Sequence, residues 1–188
     1  MARKKKHLYF AYCVNMLSSR MECCVDKNIV QKGHAKLDGY KLLFGSYNEE
    51  WEGCLPTIVK SHCSDDVVWG VLWEVDNSVK PRLDRLQGVT AKIYQEFEVD
   101  VNVFKSISKV RAMTYRLSKR PATPILYKEM QPKMLPKMQY RPSKLYLEEM
   151  IKGAEEAGLP TFYLRKLKIT PHNGFIGKSS GELSSVIL

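Results

Sequence analysis

The stretch VVWGVLWEVDNSVKPRLDRLQGV, residues 67–89, changes character halfway along. Its first half gathers Val67, Val68, Trp69, Val71 and Trp73, the β-branched and aromatic composition of a central strand. Its second half predicts a helix. Asn77 or Ser78 is placed to cap it, Pro81 fits only its first turn, Leu83 and Leu86 fall on one face, and Gly88 ends it.

Working outward, the same two patterns organise the rest of the chain. Phe97, Val99, Val101 and Val103 alternate with Glu96, Glu98, Asp100 and Asn102, which predicts a strand with one wet face. Residues 110–117 alternate again and should pair with it as a hairpin. Towards the N-terminus, residues 55–60 form a short apolar run, and residues 28–44 read as strand material interrupted by Gly33 and Gly39. Tyr9-Phe10-Ala11-Tyr12 predicts a buried strand that turns at Cys13-Val14-Asn15 into a short helix over 17–24. Near the other end Ser143 caps a helix with Leu145, Leu147, Met150, Ile151 and Ala154 as its apolar stripe and Gly158 at its end. Pro160 then opens a last helix through Lys168. The middle of the chain is therefore read as sheet.

The chain has 188 residues, of which 44% are hydrophobic and 27% charged, so a single domain over 1–188 with one sizeable core is expected. No apolar run approaches the roughly 20 residues that cross a bilayer, and residues 1–10, MARKKKHLYF, lack an apolar stretch of signal-peptide length. A cytoplasmic protein without a membrane partner is expected. Five cysteines (Cys13, Cys23, Cys24, Cys54, Cys63) form no framework spacing and predict reduced thiols. His62-Cys63 with Cys54 is the one arrangement that hints at metal, and ordinary packing explains it better, so neither a metal nor a cofactor is expected.

The formal net charge of +10 favours anionic partners: nucleic acid, acidic proteins or acidic lipids. Part of it lies in Arg3-Lys4-Lys5-Lys6, read as a basic tail over 1–7 that could also serve as a nuclear address. Five of the nine prolines fall in residues 121–142, where Pro-Lys-Met occurs twice. A Pro/Lys/Met-rich loop over 119–142 is expected, either a plain connection or a lid or partner-binding segment with Lys133, Met134, Lys137 and Met138 as contacts. A polar, partly mobile tail is expected over 170–188.

Five segments, in order, resemble the γ-glutamylcyclotransferase family. LYFAYCVNML at 8–17 is similar to its opening strand and loop, usually Tyr-Phe-Ala-Tyr-Gly-Ser-Asn-Leu, and WEGCLPTI at 51–58 to its Trp-x-Gly-Gly segment followed by Ala-Thr-Ile. VVWGVLWEVD resembles the strand leading to the helix with the catalytic glutamate, LDRLQGV at 83–89 the end of that helix, and RPSKLYLEEMIKGAEEAGLP at 141–160 its late helix. The resemblance covers residues 8–178 and implies a compact α+β fold, a small mixed β-barrel with flanking helices, together with a homodimer and cleavage of γ-glutamyl compounds into 5-oxoproline and a free amine or amino acid. In that reaction the substrate's own α-amino group attacks its γ-carbonyl carbon, and a carboxylate removes the amine proton and returns it to the leaving nitrogen. Tyr12, Cys13, Val14, Asn15, Met16, Tyr94 and Tyr115 match positions implied to line the pocket.

The chain departs from the family pattern where the chemistry would be. The catalytic glutamate's position holds Gln87, whose neutral amide cannot exchange a proton near neutral pH. Glycine and serine of the loop become Cys13 and Val14, and the second segment's glycine and alanine become Cys54 and Pro56. Cys13 in place of glycine predicts either backbone that needs φ above zero or a close approach to substrate. Asp84 lies a turn from Gln87 and is too short to replace it, whereas Glu52 is a candidate substitute base. A thiolate at Cys13, favoured by the following helix start, is an alternative. The main expectation is a catalytically inactive relative serving as a binding or scaffold module for a protein partner. The alternatives are a working enzyme with a substitute base and a nucleic-acid- or chromatin-associated adaptor.

Overall fold

The computed structural model describes residues 6–106, 108–119 and 141–177. In chain order it contains β1 (Lys6–Ala11), a 3-10 turn (Val14–Met16), α1 (Ser18–Cys24), β2 (Val30–Asp38), β3 (Tyr40–Asn48), β4 (Gly53–Lys60), β5 (Val67–Asp76), α2 (Lys80–Leu86), β6 (Tyr94–Val103), β7 (Lys109–Leu117), α3 (Lys144–Glu156) and α4 (Thr161–Lys168). Five strands close into a barrel in the order β1-β5-β2-β6-β7, and β3 and β4 form a separate hairpin. The barrel pairs are antiparallel except at the closure, where Tyr9 of β1 lies parallel and opposite Met113 of β7.

Alternation along the strands sorts the apolar residues into two layers. Phe10, Ala35, Leu37, Val68, Leu72, Val99, Val101 and Ala112, drawn from all five barrel strands, form one buried cluster and fill the barrel. The opposite faces of β1, β5 and β7 present Tyr9, Trp69, Val71, Trp73, Met113 and Tyr115 to α3 and α4, which answer with Met150, Ala154, Tyr163 and Leu167. β5 is apolar on both faces because both are covered. β6 keeps the wet face its alternation predicts, with exposed Glu98 and Asp100 lying beside Arg111 of β7.

Several expectations shift in detail. Gly33 does not interrupt a strand: it sits at φ 113° in a bulge of β2, while Gly39, at φ 74°, makes the turn into β3. Neither Asn77 nor Ser78 caps α2; Val79 holds the cap position, and Asp76 Oδ1 accepts from the Ser78 amide at 2.8 Å just before it. Ser143 does cap α3, accepting from the Tyr146 amide at 3.1 Å. Lys6 and His7, expected in the tail, pair opposite Asp76 and Val75 of β5, and Lys6 Nζ reaches Glu74 at 2.7 Å. Residues 170–177 are tied down: the Asn173 amide donates to the Pro142 carbonyl at 3.0 Å, its side chain to the Glu52 carbonyl at 2.5 Å, and the Phe175 carbonyl accepts from Leu145 at 2.9 Å. Lys133, Met134, Lys137 and Met138 lie outside the described residues.

Candidate active site

Four pieces of chain build the site: the turn after β1, the turn between β3 and β4, the end of α2, and the start of α3. The turn after β1 is shaped by two backbone bonds, Met16 N–H to the Cys13 carbonyl at 2.9 Å and Leu17 N–H to that of Val14 at 3.1 Å. It is held down by Trp73 Nε1, which donates to the Asn15 carbonyl at 2.9 Å. Helix α3 lies directly on it. A Cβ at Gly153 would come within 2.5 Å of the Leu17 nitrogen, so only glycine admits this approach without a shift. At the end of α2, Gly88 takes φ 62° and sends its N–H back to the Arg85 carbonyl, which stops the helix and leaves Gln87 at its last corner.

Gln87 is 8% exposed and joins the other wall through one atom. Its Nε2 donates to the Tyr9 hydroxyl at 3.1 Å, and that hydroxyl also accepts from Asn15 Nδ2 at 3.1 Å. Asn15 Oδ1 in turn accepts from Arg20 Nε at 3.1 Å, and the Arg20 guanidinium lies 5.5 Å from the centre of the Trp51 ring. Trp51 meets Tyr146 of α3 edge-on at 4.7 Å. Gln87, Asn15, Arg20, Trp51 and Tyr146 border a cavity of about 190 Å³, whose wall also includes Cys13, Val14, Tyr94, Glu50 and Arg85, with Tyr9 behind it.

The electrostatics leave little acid/base capacity inside. Burial raises the phenols of Tyr9, Tyr94 and Tyr146 well above their ordinary value, so all three are neutral donors at neutral pH. Burial likewise pushes the Cys13 thiol up, against the opposing pull of the Asn15 backbone, Arg20, Gln87 and Tyr146. A thiolate at Cys13 is therefore disfavoured, contrary to the helix-start expectation. Nor does Cys13 occupy a glycine conformation: φ is −121° and ψ −157°, extended backbone open to any residue.

The structure separates the residues expected to line a pocket into two groups. Cys13, Val14, Asn15, Tyr94 and Gln87 share the cavity wall. Tyr12, Met16 and Tyr115 are buried behind it. Tyr12 points into the barrel layer and donates to the Tyr115 carbonyl at 2.6 Å, while the Tyr115 hydroxyl donates to Asp84 Oδ1 at 2.6 Å. Asp84 is further held by Lys80 at 2.8 Å and is not part of the cavity wall. Glu52 does not line the cavity. Its backbone turns at φ 48°, and its carboxylate accepts from the Tyr47 hydroxyl at 2.5 Å instead. Glu50, two residues earlier, is the one carboxylate among the described lining residues, and it is exposed.

The sequence reading missed Glu50, Trp51, Arg20, Arg85 and Tyr146 as wall residues. Trp51, Arg85 and Tyr146 lay in segments already singled out, and nothing local distinguished Glu50 from Glu52. The site can thus bind and orient a ligand with anionic groups, through Arg20, Arg85 and neutral donors, but among the described residues Gln87 is hydrogen-bonded to Tyr9 and to no carboxylate.

Comparison with known proteins agrees with this architecture. A model of the AIG2-like family matches residues 67–167. The Gamma-glutamylcyclotransferase of Mus musculus is 30% identical over 96% of this chain and 87% of its own, and that of Bos taurus gives the same three values. Among solved structures, one described as Gamma-glutamyl cyclotransferase superposes with a TM-score of 0.78 at 29% identity, covering 97% of this chain and 98% of its own. With relatives of 30% identity covering 96% of the residues and a family model over more than half of them, the chain belongs to the γ-glutamylcyclotransferase family.

Proposed function

We propose that the cavity binds γ-glutamyl compounds and that the chain is a poor catalyst of their cyclisation. The ligand class follows from the relatives, which are named for γ-glutamyl chemistry and are similar to this chain over nearly all of it. The defect follows from one observation: the side chain bonded to Tyr9 at the end of α2 is the amide of Gln87, and among the described residues no carboxylate is hydrogen-bonded to it. Ring closure needs a group that takes a proton from the α-amine and gives one to the leaving nitrogen. Gln87 accepts and donates hydrogen bonds but transfers no proton near pH 7, so it can position the amine without activating it. Loss of that function costs about a hundred- to ten-thousand-fold in rate, leaving whatever acceleration comes from holding the chain folded for closure.

A second reading is a working cyclotransferase with Glu50 as base. Two observations favour it, the enzyme names of the relatives and the position of Glu50 on the cavity wall. The same observations favour an enzyme over a scaffold for a protein partner, for which the described residues supply no support. Release of 5-oxoproline from a γ-glutamyl dipeptide separates the readings. Turnover at ordinary enzymatic rates that disappears in Glu50→Gln establishes the working enzyme. Binding without turnover supports the first reading, and failure of γ-glutamyl dipeptides to bind at all overturns both. The homodimer implied by the resemblance is tested by light scattering.

A further inference from the structure

The rim of the cavity carries a cation that the inner wall does not use. Arg85 lies in the last turn of α2, two residues before Gln87, and is exposed where it borders the cavity. Its guanidinium has no hydrogen-bond or ion-pair partner among the described residues. Arg20 differs in both respects. It is part-buried, bonded to Asn15 Oδ1 at 3.1 Å and placed over Trp51, so it belongs to the fixed inner network that reaches Tyr9 and Gln87. Glu50 forms no ion pair with either arginine. The cavity wall therefore has one oriented inner cation and one uncommitted outer cation, with a single exposed carboxylate between two positive charges in the formal balance.

A γ-glutamyl compound always carries one carboxylate, next to its α-amine. A second carboxylate is present only when the group beyond the γ-amide is an amino acid rather than a simple amine. We infer that Arg85 recognises this outer carboxylate and makes the site selective for γ-glutamyl amino acids over γ-glutamyl amines, an inference that rests on the proposed ligand class. An arginine fork suits a carboxylate, and an unpaired one at an open rim gives up no existing partner to engage it. Because the rim is solvated, the preference is modest and sensitive to salt.

Calorimetric titration with a γ-glutamyl amino acid and with the γ-glutamyl alkylamine that lacks only the outer carboxylate tests this, with 5-oxoproline followed to show that the ligand stays intact. The unmodified protein is expected to bind the carboxylated ligand about two- to fivefold more tightly at low salt, the range of a solvated ion pair. Arg85→Gln should erase the difference between the two ligands, Arg85→Lys should keep part of it, and 0.5 M salt should shrink it. Equal affinity for the two ligands, or a preference that survives Arg85→Gln, overturns the role of Arg85 while leaving the proposed ligand class intact. Failure of both ligands to bind overturns the ligand class and the inference together.

Discussion

The Nε2 of Gln87 and the hydroxyl of Tyr9, from residues 78 positions apart, meet at 3.1 Å and join the end of α2 to the first strand of the barrel. Because Asn15 donates to the same hydroxyl at 3.1 Å, Tyr9 is the shared acceptor through which the turn and the helix end hold each other in place. A glutamate at 87 would reverse the bond, with the phenol donating to a carboxylate whose second oxygen remains available to a substrate amine.

Restoring that carboxylate is the most direct test of the chemistry. Gln87→Glu is expected to raise 5-oxoproline release from a γ-glutamyl dipeptide by about a hundredfold or more, the usual scale of acid/base catalysis. Cys13→Gly with Val14→Ser should add to it by reopening the turn, and should do little alone. An unchanged rate in the Gln87→Glu protein, with ligand affinity intact, would sink the account of Gln87.

Tyr9→Phe probes the junction itself. It leaves Asn15 Nδ2 and Gln87 Nε2 without their acceptor in a site where both side chains are buried. Stranding buried donors costs roughly 1–3 kcal/mol, so the urea midpoint should fall with little change in slope. Ligand affinity should fall as well, since Asn15 also orients Arg20. A neutral midpoint would show that the two amides find other acceptors.

How far the sequence led depends on whether a feature is set locally or by distant contacts. The β6–β7 hairpin, the Ser143 cap and the change of pattern within residues 67–89 each follow from spacing within one segment, and the structure places them where that spacing says. Gln87, Cys13, Val14 and Asn15 were found because they sit inside motifs, and the fold brings them to one wall. Glu52 falls off the wall because its backbone takes a positive φ and its carboxylate meets Tyr47, neither of which a local signal reports. Tyr12 and Tyr115 were assigned to the wall because their motif positions match, while strand alternation turns Tyr12 into the barrel and Asp84 captures the Tyr115 hydroxyl. Anchoring of residues 170–177 was invisible for the same reason: Asn173 meets Glu52 across 121 positions.

The contact between α3 and the turn predicts an unusual outcome for a helix glycine. Gly→Ala inside a helix ordinarily stabilises by about 1 kcal/mol. At Gly153 the added methyl would meet the Leu17 nitrogen at 2.5 Å and the Met16 carbonyl carbon at 2.8 Å, both backbone atoms that cannot rotate aside. Gly153→Ala should therefore destabilise by roughly 1–3 kcal/mol, the cost of overpacking, and should weaken γ-glutamyl ligand binding by moving the turn. A raised melting temperature with unchanged affinity would show that the helix can back away from the turn freely.

Cys54 supplies a test by pH. It is 1% exposed on β4, and burial raises its thiol from the ordinary value of 9.0 to about 11. In the unfolded chain the thiol ionises near its ordinary value, so between the two the unfolded state binds fewer protons than the folded one, and stability falls as pH rises. The contribution is complete below about pH 9 and is lost as pH rises through the folded value near 11. Cys13, raised by burial in the same direction, adds to the slope, and lysines that titrate in this range are common to any pair of variants. The informative quantity is then a difference. Urea unfolding of the protein and of Cys54→Ala at intervals from pH 7.5 to 10.5 should show a steeper decline for the unmodified chain above pH 9, with the gap between the two narrowing as pH increases. Parallel curves across that range would mean that the Cys54 thiol ionises alike in the folded and unfolded states, which its burial on β4 does not permit unless the hairpin opens well below pH 10.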